Sequence, residues 1–180
     1  MSPTVRSRGF TLIELMVVVA LAAILLALAA PSFTGTLARK RMEGVAEVFG
    51  TDLQYARSEA VARNTEVRLA TGAGGACYTV FVWRGAGTCT CNPAVSCALF
   101  AAATDPAEIK TVDFSGTGIS VTASTVYRFE PLRGMTADAA SPAVTFATTG
   151  GAWQLTTAVS LVGRASTCSP SGSMKGYPAC

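Results

Sequence analysis

Six cysteines, at positions 77, 89, 91, 97, 168 and 180, carry the most distinctive chemistry in this chain of 180 residues. Thiols pair, ligate metals or attack carbon. The run Cys89-x-Cys91-x5-Cys97, with Cys77, offers thiolates to a metal, but it lacks the paired C-x2-C spacing of a structural zinc site. Nucleophilic attack needs an activating base, and the chain has no histidine. That absence removes Ser-His-Asp and Cys-His sites, imidazole acid–base work and every zinc site that needs imidazole. Asp and Glu number 11, yet no pairing or spacing nominates a catalytic carboxylate. No GxxxxGK[ST] loop is present, and no glycine-rich turn opens a helix, so phosphate cradling is not supported. The net charge is only +3, against the pronounced basic excess expected of a protein that coats duplex DNA.

One carboxylate stands apart. Glu14 lies near the start of an apolar run, and residues 15 to 30 read LMVVVALAAILLALAA without a polar group. From Phe10 to Ala30 a helix rising about 1.5 Å per residue covers roughly 30 Å, a bilayer core. Arg6 and Arg8 precede it and Arg39-Lys40-Arg41 follow. A secretory signal peptide has such a basic start, and Ala29-Ala30 imitates its cleavage site, but its apolar core runs about 7–15 residues. A carboxylate in an apolar run is a functional-site candidate by default, or else it snorkels to the interface.

The residues RGFTLIELM, from Arg8 to Met16, resemble the class III leader of type IV pilins and type II secretion pseudopilins. There a basic leader ends in Gly, followed by Phe, with Glu four positions on; here these are Gly9, Phe10 and Glu14. The resemblance implies that a prepilin peptidase cuts between Gly9 and Phe10 and methylates the new amine. It implies that Glu14 pairs with that amine on a neighbouring subunit as it enters a filament. Two further stretches, LQYARSEAVARN (Leu53 to Asn64) and YRFEPLRG (Tyr127 to Gly134), resemble GspH/FimT minor pilins.

Several elements must position these residues. Pro31 and Gly35 predict a kink or break in the helix. An apolar stripe then resumes at Met42, Val45, Phe49, Leu53, Ala56 and Ala60, one face of an amphipathic helix packing on its own domain. The helix from Phe10 to about Ala62 could reach roughly 80 Å. Beyond Asn64, glycine turns separate β-rich runs at Glu66–Ala70, Tyr78–Arg84, Ile109–Phe114, Ile119–Thr122, Val126–Glu130, Ala143–Thr148 and Trp153–Arg164. Trp83 and Trp153 read as core or sheet-face residues. The fold expectation is α+β: a long N-terminal hydrophobic, then amphipathic, helix packed on a mainly antiparallel β-sheet head. Its parts are a leader over 1–9, a transmembrane and filament-core segment over 10–31, the amphipathic half over 32–64 and the head over 65–180.

An exported head sits where disulfides persist. Cys168 and Cys180 enclose a Gly/Pro/Ser-rich tail that packs poorly, and a bridge between them would pin it by roughly 2–3 kcal/mol in the entropy model. Cys89 and Cys91 are too close to pair with each other, so each takes Cys77 or Cys97, in an order the sequence leaves open. Four cysteines ligating a metal is the competing reading.

The resemblance thus implies a structural subunit, neither enzyme nor cofactor-binding: a minor type IV pilin for pilus initiation or the tip. The alternatives are a GspH-like pseudopilin of a type II secretion system and a FimT-like pilin that binds DNA for uptake. The partners implied are other pilins or pseudopilins, the prepilin peptidase and the inner membrane. The protein would occupy that membrane as a single-pass precursor, then a periplasmic or extracellular filament. For DNA, FimT-like pilins use Gly-Arg-x-Arg; here Gly163-Arg164-Ala165-Ser166 keeps one arginine, and Lys175 is the only other cation of the tail. From Met42 on there are nine basic and ten acidic residues. Phosphate contacts dominate DNA affinity, which leaves Arg164 and Lys175 a weak footing.

Overall fold

The computed structural model describes residues 9–72, 74–85, 87, 89–91, 106–136, 142–170, 172 and 174–180, without the side chains of 28–32. It has two compact units, Met1–Leu37 and Ala38–Cys180. A helix, α1 (Leu12–Arg63), runs through both.

Both ends of α1 are capped by local chemistry. At the start, the Thr11 hydroxyl accepts a hydrogen bond from the Glu14 N–H at 3.3 Å, taking up one of the orphan donors of the first turn. At the end, Asn64 adopts a left-handed φ of 48°. The Asn64 N–H then reaches the Val61 carbonyl and the Thr65 N–H the Ala60 carbonyl. That is a Schellman motif with asparagine where glycine is usual. The expected interruption is absent: the backbone stays helical through Pro31 and Gly35. A proline removes one helical hydrogen bond and bends the axis, which a long helix can absorb without ending.

Within the second unit, α1 buries Met42, Ala46, Phe49, Leu53, Ala56 and Ala60. Their alternating spacing of four and three keeps one stripe inward. Ala46, rather than the expected Val45, takes the central place; Val45 is half-buried at the rim.

The head carries eight strands: β1 (Val67–Thr71), β2 (Cys77–Val82), β3 (Ala107–Asp113), β4 (Ile119–Val121), β5 (Thr125–Phe129), β6 (Ala143–Thr148), β7 (Gln154–Val159) and β8 (Ala165–Cys168). They form two four-stranded sheets, β3-β2-β1-β5 and β4-β6-β7-β8, with every pairing antiparallel. The expected last strand over Trp153–Arg164 is in fact β7 and the turn after it, and β8 follows beyond that range as a strand of its own. The Ser160 N–H donates to the Arg164 carbonyl and Gly163 sits at φ 78°, a conformation glycine adopts freely.

The core lies where α1 meets both sheets. The Phe49 ring stands edge-on to Tyr78 at 5.0 Å, Tyr127 at 5.8 Å and Phe146 at 5.0 Å. Tyr78 and Tyr127 belong to the first sheet and Phe146 to the second, so one helix residue joins both. Trp153 packs on the edge of this core, while Trp83 lies in a second cluster with Ala70, Phe81 and Cys89, under the Arg68 guanidinium at 4.1 Å.

Asp52 is a polar exception inside this stripe. Its carboxylate accepts from the Tyr78 hydroxyl and the Lys110 ammonium, each at 2.7 Å. Burial first, then the Asp52 bond, pushes the Tyr78 hydroxyl above the ordinary phenol range. Asp52→Ala leaves that hydroxyl buried without its acceptor, so a loss of about 1–3 kcal/mol is expected in denaturant unfolding. Asp52→Asn, which keeps an acceptor for Tyr78, should lose less; equal losses would refute the role given to that bond.

At the near end of the head, Glu43 bonds Lys40 at 2.7 Å and Arg39 at 3.0 Å. The Lys40 hydrogen bond, then that of Arg39, outweighs desolvation and holds the Glu43 carboxyl below its ordinary range. A carboxyl lowered in the folded state stabilises above the unfolded value and stops doing so as pH falls through the folded one. The melting difference between wild type and Glu43→Gln, worth under about 1 kcal/mol for such exposed pairs, should therefore be full at neutral pH and vanish once acidification passes below the lowered folded value of Glu43.

Candidate assembly surface

The first unit has a surface without a partner. Phe10 and Leu12 are each 77% exposed, and Ile13, Leu15, Leu25 and Leu26 are exposed as well. Such a continuous apolar surface marks an interaction site. Gly9, Phe10 and Glu14 lie together at the start of α1, all exposed, with Glu14 in the first helical turn. An acidic side chain there is favoured by the helix dipole. Thr11, which sequence reading passed over, belongs to this group as the cap. Thr-x-x-Glu before an apolar run is the signature that would have found it. No ion pair of Glu14 occurs among the described residues, so its carboxylate is open to a group from outside. Among the described residues no helix is long and apolar enough to cross a membrane. The described side chains of the apolar run stop at Ala27.

The head has its own candidate site. A cavity of about 820 Å³ opens between α1 and the β7–β8 turn, lined by Glu47, Gln54, Arg57 and Arg164 among others. Its geometry depends on two glycines far apart in sequence. A Cβ on Gly134 would lie 2.7 Å from Arg57 Cγ, and one on Gly163 would lie 2.7 Å from the Gly134 carbonyl oxygen and 3.1 Å from Arg57 Cδ. Both glycines have positive φ. The Arg57 side chain passes across this bare pair. Gly163→Ala adds left-handed strain to a clash with backbone that cannot yield, for an expected loss of at least about 1 kcal/mol. A melting temperature unchanged from wild type would refute the close approach.

Of the expected DNA contacts, Arg164 is exposed on the wall of this cavity, its N–H bonded to Ser160 Oγ. Lys175 is exposed on the tail, away from the cavity lining, and its carbonyl accepts from Arg39 at 2.6 Å. The structure therefore brings Arg164 to Arg57 rather than to Lys175.

The cysteines are placed as follows. Cys168 and Cys180 form a disulfide, as do Cys77 and Cys91. Cys89 is buried and disulfide-bonded, and Cys97 lies outside the described residues. With Cys77 and Cys91 joined, neither sulfur is a thiolate, which removes the four-cysteine metal reading. The described residues hold no cluster of His, Cys, Asp or Glu suited to a metal. Closure at Cys168 lets the tail seat Met174 in the core, with the Met174 N–H bonded to Ser169 Oγ.

An uncovered apolar helix start with a placed carboxylate, ahead of a helix-backed antiparallel head, is the build of a pilin-like subunit. The model for the prokaryotic N-terminal methylation motif matches residues 5–30, and that for type II transport protein GspH matches residues 45–163. The chain belongs to the GspH family. Two crystal structures of the type IV minor pilin FimU from Pseudomonas aeruginosa are similar at 19% identity. One match covers 71% of this chain and 87% of that one with a TM-score of 0.49; the other covers 72% and 94% with a TM-score of 0.47. No curated protein matches this chain.

Proposed function

We propose that this chain is a minor type IV pilin, a structural subunit that helps initiate or tip the pilus and performs no catalysis. The observation that carries this reading is Glu14, exposed in the first turn of α1, four residues beyond Phe10 on an uncovered apolar helix. Cleavage after Gly9 would leave the Phe10 amine beside a helix start whose hydroxyl cap and carboxylate are already in place. A neighbouring subunit's amine would then find in Glu14 a partner of opposite charge, and an ion pair withdrawn from water holds only when so matched. Residues 10–31 would anchor the precursor in the inner membrane and later fill the filament core. In support, the sequence is apolar without interruption from Leu15 to Ala30. Residues 32–64 would carry the head over 65–180, and major and minor pilins and the prepilin peptidase would be the partners.

A second reading, a pseudopilin of a type II secretion system, is favoured by the description of the family model that matches the head. The physics is shared and the machine differs. A deletion strain separates them: loss of twitching with intact enzyme secretion supports the pilus, and the reverse supports the secretion system. DNA capture is the weakest reading, since Arg164 shares its cavity with Glu47 and Lys175 lies elsewhere.

A further inference from the structure

The end of the head beyond Arg57 carries features that neither filament assembly through α1 nor core packing uses. Two turns meet there, residues 130–134 after β5 and residues 160–164 between β7 and β8. They are tied together: the Thr136 N–H donates to the Leu161 carbonyl at 3.2 Å, and the Thr136 hydroxyl reaches the Ser160 and Leu161 carbonyls. Within each turn, Gly134 N–H bonds the Glu130 carbonyl and Gly163 N–H the Ser160 carbonyl. The surface is therefore a hydrogen-bonded platform rather than two independent loops.

On this platform aliphatic and cationic side chains are exposed together. Leu132 is 84% exposed, Val162 59% and Leu161 49%, and Val61 of α1, 48% exposed, borders Gly134. The same turns supply Arg133 and Arg164, both exposed, and α1 supplies Arg57. The described ion pairs of this protein engage Arg39, Lys40, Arg63, Arg68 and Lys110. None of the three platform arginines is among them. Arg133 and Arg164 flank the two touching glycines and Arg57 packs across them. Although Glu130 opens the same turn as Arg133 and Glu47 lines the adjoining cavity, the cations outnumber them and leave a charge to be met from outside.

We propose that this platform docks another protein, through a surface of that partner carrying Asp or Glu beside exposed aliphatic side chains. Arginine pairs with carboxylates in a planar, two-bonded geometry and is enriched at protein interfaces. Exposed leucines and valines in the same two turns as these arginines match a partner surface that is both aliphatic and acidic. A nucleic acid fits less well. Single strands are held by aromatic stacking, and the exposed side chains named here are aliphatic. The inference rests on the reading of the chain as a filament subunit, because the partner is sought in the filament.

The test places a photo-crosslinking amino acid at Leu132 of the full chain in cells that make filaments. The expected result is an adduct with another filament protein whose crosslinked peptide bears Asp or Glu within a helical turn of Val, Leu or Ile. Combining Arg133→Glu with Arg164→Glu should cut the adduct at least tenfold, whereas Arg133→Lys with Arg164→Lys should retain most of it. Melting of each purified variant within a degree or two of wild type establishes that the head is intact. The proposal is overturned by an adduct indifferent to charge reversal or by crosslinking to DNA. No adduct from a chain that enters the filament normally also overturns it and leaves the filament reading standing. A chain absent from the filament fraction and without an adduct overturns both.

Discussion

Replacing Glu14 with alanine is expected to leave cleavage after Gly9 intact while lowering the chain recovered in sheared filaments about tenfold or more, as loss of 1.4 kcal/mol or more would. The argument begins with the position of the carboxylate. It lies in the first turn of α1, exposed, behind the Thr11 cap, on a helix start that is otherwise apolar. Once neighbouring subunits cover that surface, an unmatched charge is expensive and a matched one is tolerated. The Phe10 amine of a neighbour is the match. Glu14→Gln keeps the shape and loses the charge, so it should fail nearly as badly. Thr11→Ala is the informative control. It removes a cap worth about 1 kcal/mol and no charge, and should assemble better than either Glu14 variant. Normal recovery of Glu14→Ala would mean the carboxylate serves only the helix dipole.

Phe49→Ala should produce the largest loss of stability in the head. Truncating a buried phenylalanine costs about 3–5 kcal/mol through lost transfer energy and the cavity left behind. Phe49 is fully buried and makes edge contacts to rings on both sheets. The cavity would open at the junction of three elements, where no single one can relax to fill it. A fall in melting temperature of roughly 10 °C is expected for a domain of this size, with Phe49→Leu losing markedly less. A fall of only a degree or two would show that the sheets hold together without the helix residue between them.

Much of the fold was legible because it is written in local periods. The stripe from Met42 to Ala60 follows helical spacing, and Ala143–Thr148 is bounded as the observed β6 is. What escaped depends on long-range geometry. Residues 153 to 164 form one β-prone run, and only the positive φ of Gly163 marks the turn that makes β8 a separate strand. Division into two sheets was also invisible, since alternation within a strand does not say which neighbour it pairs with. Ala46 displaced Val45 because the two flank one helical stripe and only the sheets decide which faces in. Nothing in the helical pattern singles out Asp52 or Arg57. Their roles appear only when Tyr78, Lys110, Gly134 and Gly163 arrive from distant parts of the chain, the nearest of them 26 residues away. The pairing of Cys77 with Cys91, left open by spacing, is seen only in the folded chain.

The most direct test of the account is the mass and N-terminal sequence of the chain isolated from sheared filaments. The account predicts a polypeptide beginning at N-methylated Phe10, with Glu14 and the apolar run retained. A chain beginning near Pro31 and recovered free in the periplasm would mean that the run is a discarded signal peptide, and would contradict it.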